Sequence, residues 1–332
     1  MIEVRFSGPV RLCKPALRTC LVVAIAAFAT AAVVSAQDRP EAADTAIAKQ
    51  LDFASPAKAV ATLVAAIRGN RQNDMLRVLG ASGSKLIQSG DPVADRKGYA
   101  RFLKAFDASH RIEERASGIA TLIVGSEAWP LPIPIVKQGD RWHFDTDASA
   151  QKIIDRRVGR NELNVIEVCR QYVQAQREYA HKDRIGSGLQ EFASKFESSE
   201  GRHDGLYWPA AAGEEESPLG PLVARARAEG YAGADQPGAE AGFEAPYHGY
   251  LYRILTAQGE HAPGGTKDYV VDGHLTGGFA LLAIPAKWGD SGVMTFTVNQ
   301  DGIVFQKNLG PDTAQLARDI TEYDPDLSWS TP

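Results

Sequence analysis

Gly289, Asp290, Ser291 and Gly292 are the residues whose types and spacing come nearest to chemistry in this 332-residue chain. A serine among small residues and an acid becomes a nucleophile when a histidine takes its proton, a carboxylate orients that histidine and an oxyanion hole faces both. The seven histidines are scattered and no string around any of them supplies the base, so the stretch is expected to be a turn between two strands. A second candidate is Asp183, Ser187 and Glu191, at oxygen-ligand spacing beside Gly188. A helix-loop-helix calcium site needs oxygens at its first, third and fifth positions and a bidentate Glu at its twelfth. Counted from Asp183, those places include Ile185 and Ser194, so a turn between helices is expected and no metal.

The other catalytic spacings are missing. There is no G-x-S-x-G, H-E-x-x-H, C-x-x-C or Walker lysine, and the runs Glu113–Glu114 and Glu214–Glu216 sit in polar stretches that read as solvated faces. No catalytic residue and no cofactor is expected. Cys13 and Cys20 lie near the N-terminus and leave Cys169, which falls on an apolar helical stripe, so an intrachain disulfide is not expected. What remains is binding. Residues 199–266 are rich in Gly, Pro and aromatics; a long irregular connection often carries function, and its aromatic content argues against disorder. Asp204, Tyr207, Trp208, His248 and Tyr250 are the candidate binding residues, with aromatic packing over a sheet edge as the competing account. Trp129, Trp142, His143 and Asp145 could line a pocket mouth, with a core Trp and a solvated Asp as the alternative.

The elements that must position these residues come in two blocks, as the length alone suggests. Residues 1–36 read as a signal peptide: Arg5, Arg11, Lys14 and Arg18 lead an uncharged apolar run, and Val34, Ser35 and Ala36 place small residues for cleavage after Ala36. An uncleaved anchor is the alternative, but the run is short of the roughly 20 residues that span a bilayer; no stable span is expected after cleavage. Residues 1–36 hold four basic residues and one acid, so their removal moves the formal charge from -5 to -8. With no Lys/Arg cluster apparent along the chain, nucleic acid is not an expected partner.

After a linker over 37–50, residues 51–150 read as helices followed by strands. Ser55 and Pro56 form an N-cap and first-turn pair before Val60, Leu63, Val64 and Ile67, and Tyr99, Phe102, Leu103 and Phe106 recur at helical spacing. From His110 the period falls to 2, giving strands near 111–115, 119–124, 130–136 and 141–144. Pro130, Pro132 and Pro134 require an edge or bulges in the third. This α+β order resembles the nuclear-transport-factor-like folds, in which a curved antiparallel sheet closes on helices.

Residues 151–332 are built on a helix over Asn161–Tyr179, whose stripe is Val165, Val168, Cys169, Tyr172, Ala175 and Tyr179. A helical piece over 221–229, strands near 250–255, 268–271, 279–285, 293–298 and 303–307, and a last helix follow. A long helix, a variable loop and then FALLAIPAKWGDSGVMTFTVNQDGIVFQ resemble the globular part of type IV pilins and pseudopilins, in which a sheet packs on the helix. Unlike those proteins, this chain has about a hundred and twenty residues between leader and helix. The strings DPVADR, WPLPIPIV, VGRNEL, QREYA, DGLYWPA, ESPLGPLV, PYHGYLYRILTAQG, GGFALLAIPA and SGVMTFTVNQDG resemble a family of bacterial exported proteins, domain of unknown function 2950. That resemblance implies an envelope or periplasmic protein and supplies no activity. The expectation is a periplasmic or secreted binding or assembly protein whose partner is another envelope protein. The alternative is a secreted hydrolase acting on envelope material.

Overall fold

The computed structural model describes residues 49–231 and 245–332; the signal peptide, its cleavage point and most of the linker lie outside them. Helix α1 (Pro56–Arg68) starts where Ser55 Oγ accepts from Lys58 N at 3.2 Å, with Pro56 in the first turn where a missing N–H costs nothing. Its Ala59, Val60, Leu63 and Val64 are buried, and the chain turns at Asn70 in the left-handed region. Helices α2 (Gln72–Leu79), α3 (Ser84–Ile87) and α4 (Pro92–Ala108) follow. Five antiparallel strands come next: β1 (His110–Arg115), β2 (Ile119–Val124), β3 (Trp129–Pro130), β4 (Ile135–Gln138) and β5 (Arg141–Phe144). Their order is β1-β2-β4-β5, with β3 pairing β2 beyond the end of β4.

The alternating prolines explain that arrangement. The expected strand over 130–136 is two strands, because Pro132 and Pro134 cannot donate and the chain leaves the ladder between β3 and β4. β3 is an edge piece that pairs β2 alone, whereas β4 pairs both β2 and β5. Leu131 N still donates to Leu122 O of β2 at 2.7 Å, and beyond it Pro132 and Ile133 leave the ladder; the three reappear below as one wall of a cleft.

Helix α5 runs from Ala150 to Tyr179, eleven residues earlier than the apolar stripe alone places it. The added stretch, AQKIIDRRVGR, buries only Ala150 and Ile154, so its helical period is carried by what faces a cleft and not a core. The rest of α5 packs on a sheet. After α6 (Gly220–Ala228) come β6 (Tyr250–Leu255), the two-residue strands β7 (Ala257–Gln258), β8 (Lys267–Asp268), β9 (Val270–Val271) and β10 (His274–Leu275), then β11 (Ala280–Pro285), β12 (Thr295–Asn299), β13 (Phe305–Lys307) and α7 (Thr313–Asp319). The main sheet is antiparallel in the order β13-β12-β11-β6. Tyr172 Oη donates to Ala280 O at 3.2 Å, and Gln176 exchanges two hydrogen bonds with Ala193 (2.7 and 2.9 Å), fixing the helix to strand and loop.

Within the compact unit Ala46–Pro332, the buried apolar side chains form two clusters. One gathers Phe53 to Phe144 from α1, α2 and the first sheet; the other gathers Val165 to Tyr323 around α5 and the main sheet. Cys169 lies in the second at 0% exposure, and burial pushes its thiol up to about 12, so it is a packing residue and not a thiolate. The fold class is α+β, and among the described residues no helix is long and apolar enough to cross a membrane.

Candidate functional site

A carboxylate organises the region between the two clusters. Asp91 is 1% exposed and caps α4: one oxygen accepts from Val93 N and Ala94 N (3.1 and 2.9 Å). The other accepts Tyr231 Oη at 2.8 Å and Gly249 N at 2.9 Å, both from the far side of the chain. Burial, and then the charge of Asp91, pushes the Tyr231 hydroxyl far up, so it stays a donor. His248 N in turn donates to Tyr231 Oη at 3.4 Å, and its ring Nε2 stands 3.4 Å from Glu229, which also lies 3.7 Å from Lys97 Nζ. Burial holds His248 below its ordinary value, against Glu229 and Asp91, which favour the charged ring.

Under this junction lies a cleft of about 840 Å³. One wall is the start of α5, where Ile153, Arg156, Arg157, Arg160, Asn161 and Asn164 recur at the i, i+3, i+4 spacing of a single helix face. The facing wall is α4 with Lys97, Arg101 and Phe102; Trp129 and Leu131 to Ile133 close a third side, and Glu229, Tyr231 and His248 the fourth. Five of the lining side chains are basic and two, Asp95 and Glu229, are acidic.

The basic groups do different work. Arg157 is structural: its guanidinium donates to Lys85 O at 2.8 Å and Leu86 O at 3.0 Å, and burial lowers its pKa against the pull of Asp95 and Asp290. Asp95 accepts from Ser89 N at 3.0 Å, and burial raises its carboxyl despite that bond and Arg157. Tyr99 Oη donates to Ile87 O at 2.5 Å, and burial pushes it up to about 12. By contrast Arg101, Arg156 and Arg160 are exposed and have no ion pair or hydrogen bond with any described residue.

A second, apolar cavity of about 200 Å³ lies under α6, lined by Val168, Tyr172, Phe196, Tyr207, Leu222 and Tyr252 among others. Tyr231 borders both spaces.

The five binding candidates are not brought to one place. His248 lines the cleft and Tyr207 the apolar cavity, with Arg227 4.9 Å over its ring. Asp204 closes its own loop through Lys195 Nζ (2.9 Å) and Ser199 N (2.7 Å). Trp208 is 4% exposed, donates to Glu215 O at 3.0 Å and stacks on His203. Tyr250 is fully buried and donates to Met294 O at 2.9 Å, which is the packing account. Of the four first-block candidates, Trp129 lines the cleft, Trp142 is in the core, His143 is 3.7 Å from Asp52, and Asp145 accepts from Ala148 N.

The Gly289–Gly292 stretch is a tether. Ser291 is fully buried, accepting from Lys287 N at 2.9 Å and donating to Lys287 O at 3.1 Å, with no histidine bonded to it. Asn161 Nδ2 donates to Ser291 O at 2.8 Å, and Asp290 pairs with Lys287 (2.6 Å) and with Lys85 of α3 (3.7 Å). Ser291→Ala is expected to fold and to lose about 1–2 kcal/mol of unfolding free energy; urea titration measures that, and a peptidase activity that vanishes with Ser291 would contradict it. The Asp183 stretch is also a turn, its carboxylate occupied by Gly186 N, Ser187 N and Gly188 N at 2.7–3.0 Å, but no helix follows it until α6.

Periodicity alone misses the arginines. Arg156 and Arg160 continue the helical spacing of α5 backwards, a signal visible once the helix is extended to Ala150. Nothing local brings Lys97 and Arg101 of α4 to the same space, because that is a long-range contact.

Compared with known proteins, the chain matches a family model, "Protein of unknown function (DUF2950)", over residues 50–331. No curated protein and no solved structure matches it.

Proposed function

The chain belongs to the DUF2950 family, and from that premise we propose an exported, periplasmic binding protein of the bacterial envelope that holds an anionic ligand in the cleft between α4 and α5. The observation that carries this is the set Arg101, Arg156 and Arg160, which line a concave space without an acidic partner among the described residues. In a chain of net charge -5, like charges gathered beside aromatic rings repel one another unless an anion answers them. Guanidinium groups answer carboxylates and phosphates in two-point contacts, and a cleft of this size falls in the range of small-molecule sites. Export rests on the basic and apolar N-terminal stretch. Assembly with another envelope protein is supported by the long helix laid on an antiparallel sheet, the arrangement behind the pilin-like comparison.

Titration with pyrophosphate and citrate, followed by Trp fluorescence and calorimetry, tests the proposal. Removal of one arginine is expected to weaken binding by about tenfold or more, as for a lost charge-assisted hydrogen bond, and added salt is expected to weaken it further. Affinity that is unchanged in Arg156→Ala/Arg160→Ala overturns it. The hydrolase alternative has one observation in its favour, the half-buried Asp95 with its raised carboxyl pKa in the same cleft; turnover of an envelope ester or glycoside that disappears in Asp95→Asn would favour it.

A further inference from the structure

We infer that the ligand of this cleft is a single-chain amphiphile, its anionic head on the arginines and its hydrocarbon body along the apolar wall. This rests on the anion reading of the cleft and adds the class of molecule. The basic groups of the cleft come from two helix faces, Lys97 and Arg101 on α4 and Arg156, Arg157 and Arg160 on α5; its two acids are Asp95 on α4 and Glu229, the latter 3.7 Å from Lys97. The apolar part of the lining is Phe102, Leu86, Ile153, Leu131 and Ile133, with Trp129 48% exposed. A Trp left half in water beside apolar neighbours is covered at an energetic gain by any hydrocarbon that reaches it. Pro132 and Pro134, which take the chain out of the ladder beyond Leu131, shape this wall. Inorganic phosphate would occupy a small part of about 840 Å³ and leave the apolar side wet. A polar polyanion would satisfy the arginines and gain nothing from Phe102 and Trp129. An amphiphile uses both surfaces, and the concave shape suits one extracted molecule and not the face of a bilayer.

The test is calorimetry of the whole chain with hexyl, octyl and decyl phosphate below their micelle concentrations, against inorganic phosphate and octyl glucoside. The expected result is an affinity that rises about three- to fourfold per methylene, with inorganic phosphate at least about a hundredfold weaker than octyl phosphate and the neutral glucoside weaker than the phosphate of equal chain. Phe102→Ala is expected to flatten the chain-length dependence, with a thermal melt confirming the fold; Arg156→Ala/Arg160→Ala is expected to bring octyl phosphate towards octyl glucoside. A flat chain-length series with inorganic phosphate still bound through the arginines overturns the amphiphile while the anion site stands. Loss of every phosphate overturns both. Arginine-dependent flotation with phosphatidylglycerol vesicles, without binding of monomeric alkyl phosphates, overturns the single-molecule site in favour of a membrane surface.

Discussion

Asp91→Ala is expected to lower the unfolding free energy by about 4 kcal/mol, measured by urea denaturation. A cap on a helix is worth about 1 kcal/mol, and hydrogen bonds to a charged group about 1.5–3 kcal/mol each. Asp91 makes both kinds at once, capping α4 through Val93 N and Ala94 N and holding Tyr231 Oη and Gly249 N at 2.8 and 2.9 Å. Alanine would leave a hydroxyl and an amide without their acceptor in a position only 1% exposed. Asp91→Asn separates the parts: its oxygen can still cap α4, but its NH2 would point at the Gly249 N–H, donor against donor. Its loss is therefore expected to be intermediate, about 2 kcal/mol. If alanine costs no more than an ordinary cap, Asp91 does not hold α4 to Tyr231 and Gly249, and the roof of the cleft must be held by Lys97, Glu229 and His248 instead.

How far such a residue can be read from sequence is shown by its likeness to another. Ser55–Pro56 and Asp91–Pro92 are both capping residues followed by a first-turn proline, and local rules suffice for each helix start. What makes Asp91 matter is its partnership with residues 140 and 158 positions away, and no period or spacing encodes that. The strands were legible wherever burial alternates, as in β2 and β5, and the prolines foretold an edge or bulges in the third strand but not its division into β3 and β4. The start of α5 was not, because helical periodicity is usually sought in apolar residues and this turn of helix faces a basic cleft. The binding candidates drawn from Gly- and aromatic-rich loops scattered for a related reason. A buried Tyr or Trp with a satisfied polar atom, such as Tyr250 or Trp208, has the same composition as a binding surface, and only its hydrogen bond to Met294 O or Glu215 O tells them apart.

The same long-range logic makes Gly249 a vulnerable glycine of the junction. Its φ of +79° lies where a side chain is strained, and an added Cβ would sit 2.5 Å from Asn161 Nδ2 and 3.1 Å from Ser291 Cβ. Gly249→Ala is expected to cost about 1 kcal/mol for the left-handed backbone, about 1 kcal/mol for displacing Asn161 from Ser291 O, and further overpacking strain of about 1 kcal/mol or more; the sum is about 3 kcal/mol. Part of that belongs to the Asn161 side chain, so Gly249→Ala and Asn161→Ala should couple. Once the amide is gone, the new methyl has room and the hydrogen bond cannot be lost twice, which makes the double variant more stable than additivity allows by about 1 kcal/mol. Gly159→Ala in α5, where the added Cβ meets nothing within 4 Å, provides the contrast with an expected gain of about 0.5–1 kcal/mol. A double variant that is additive within experimental error would mean that Asn161 moves aside freely. The link from α5 through Asn161 to Ser291 would then be incidental, and Asp91 alone would join Gly249 to the first cluster.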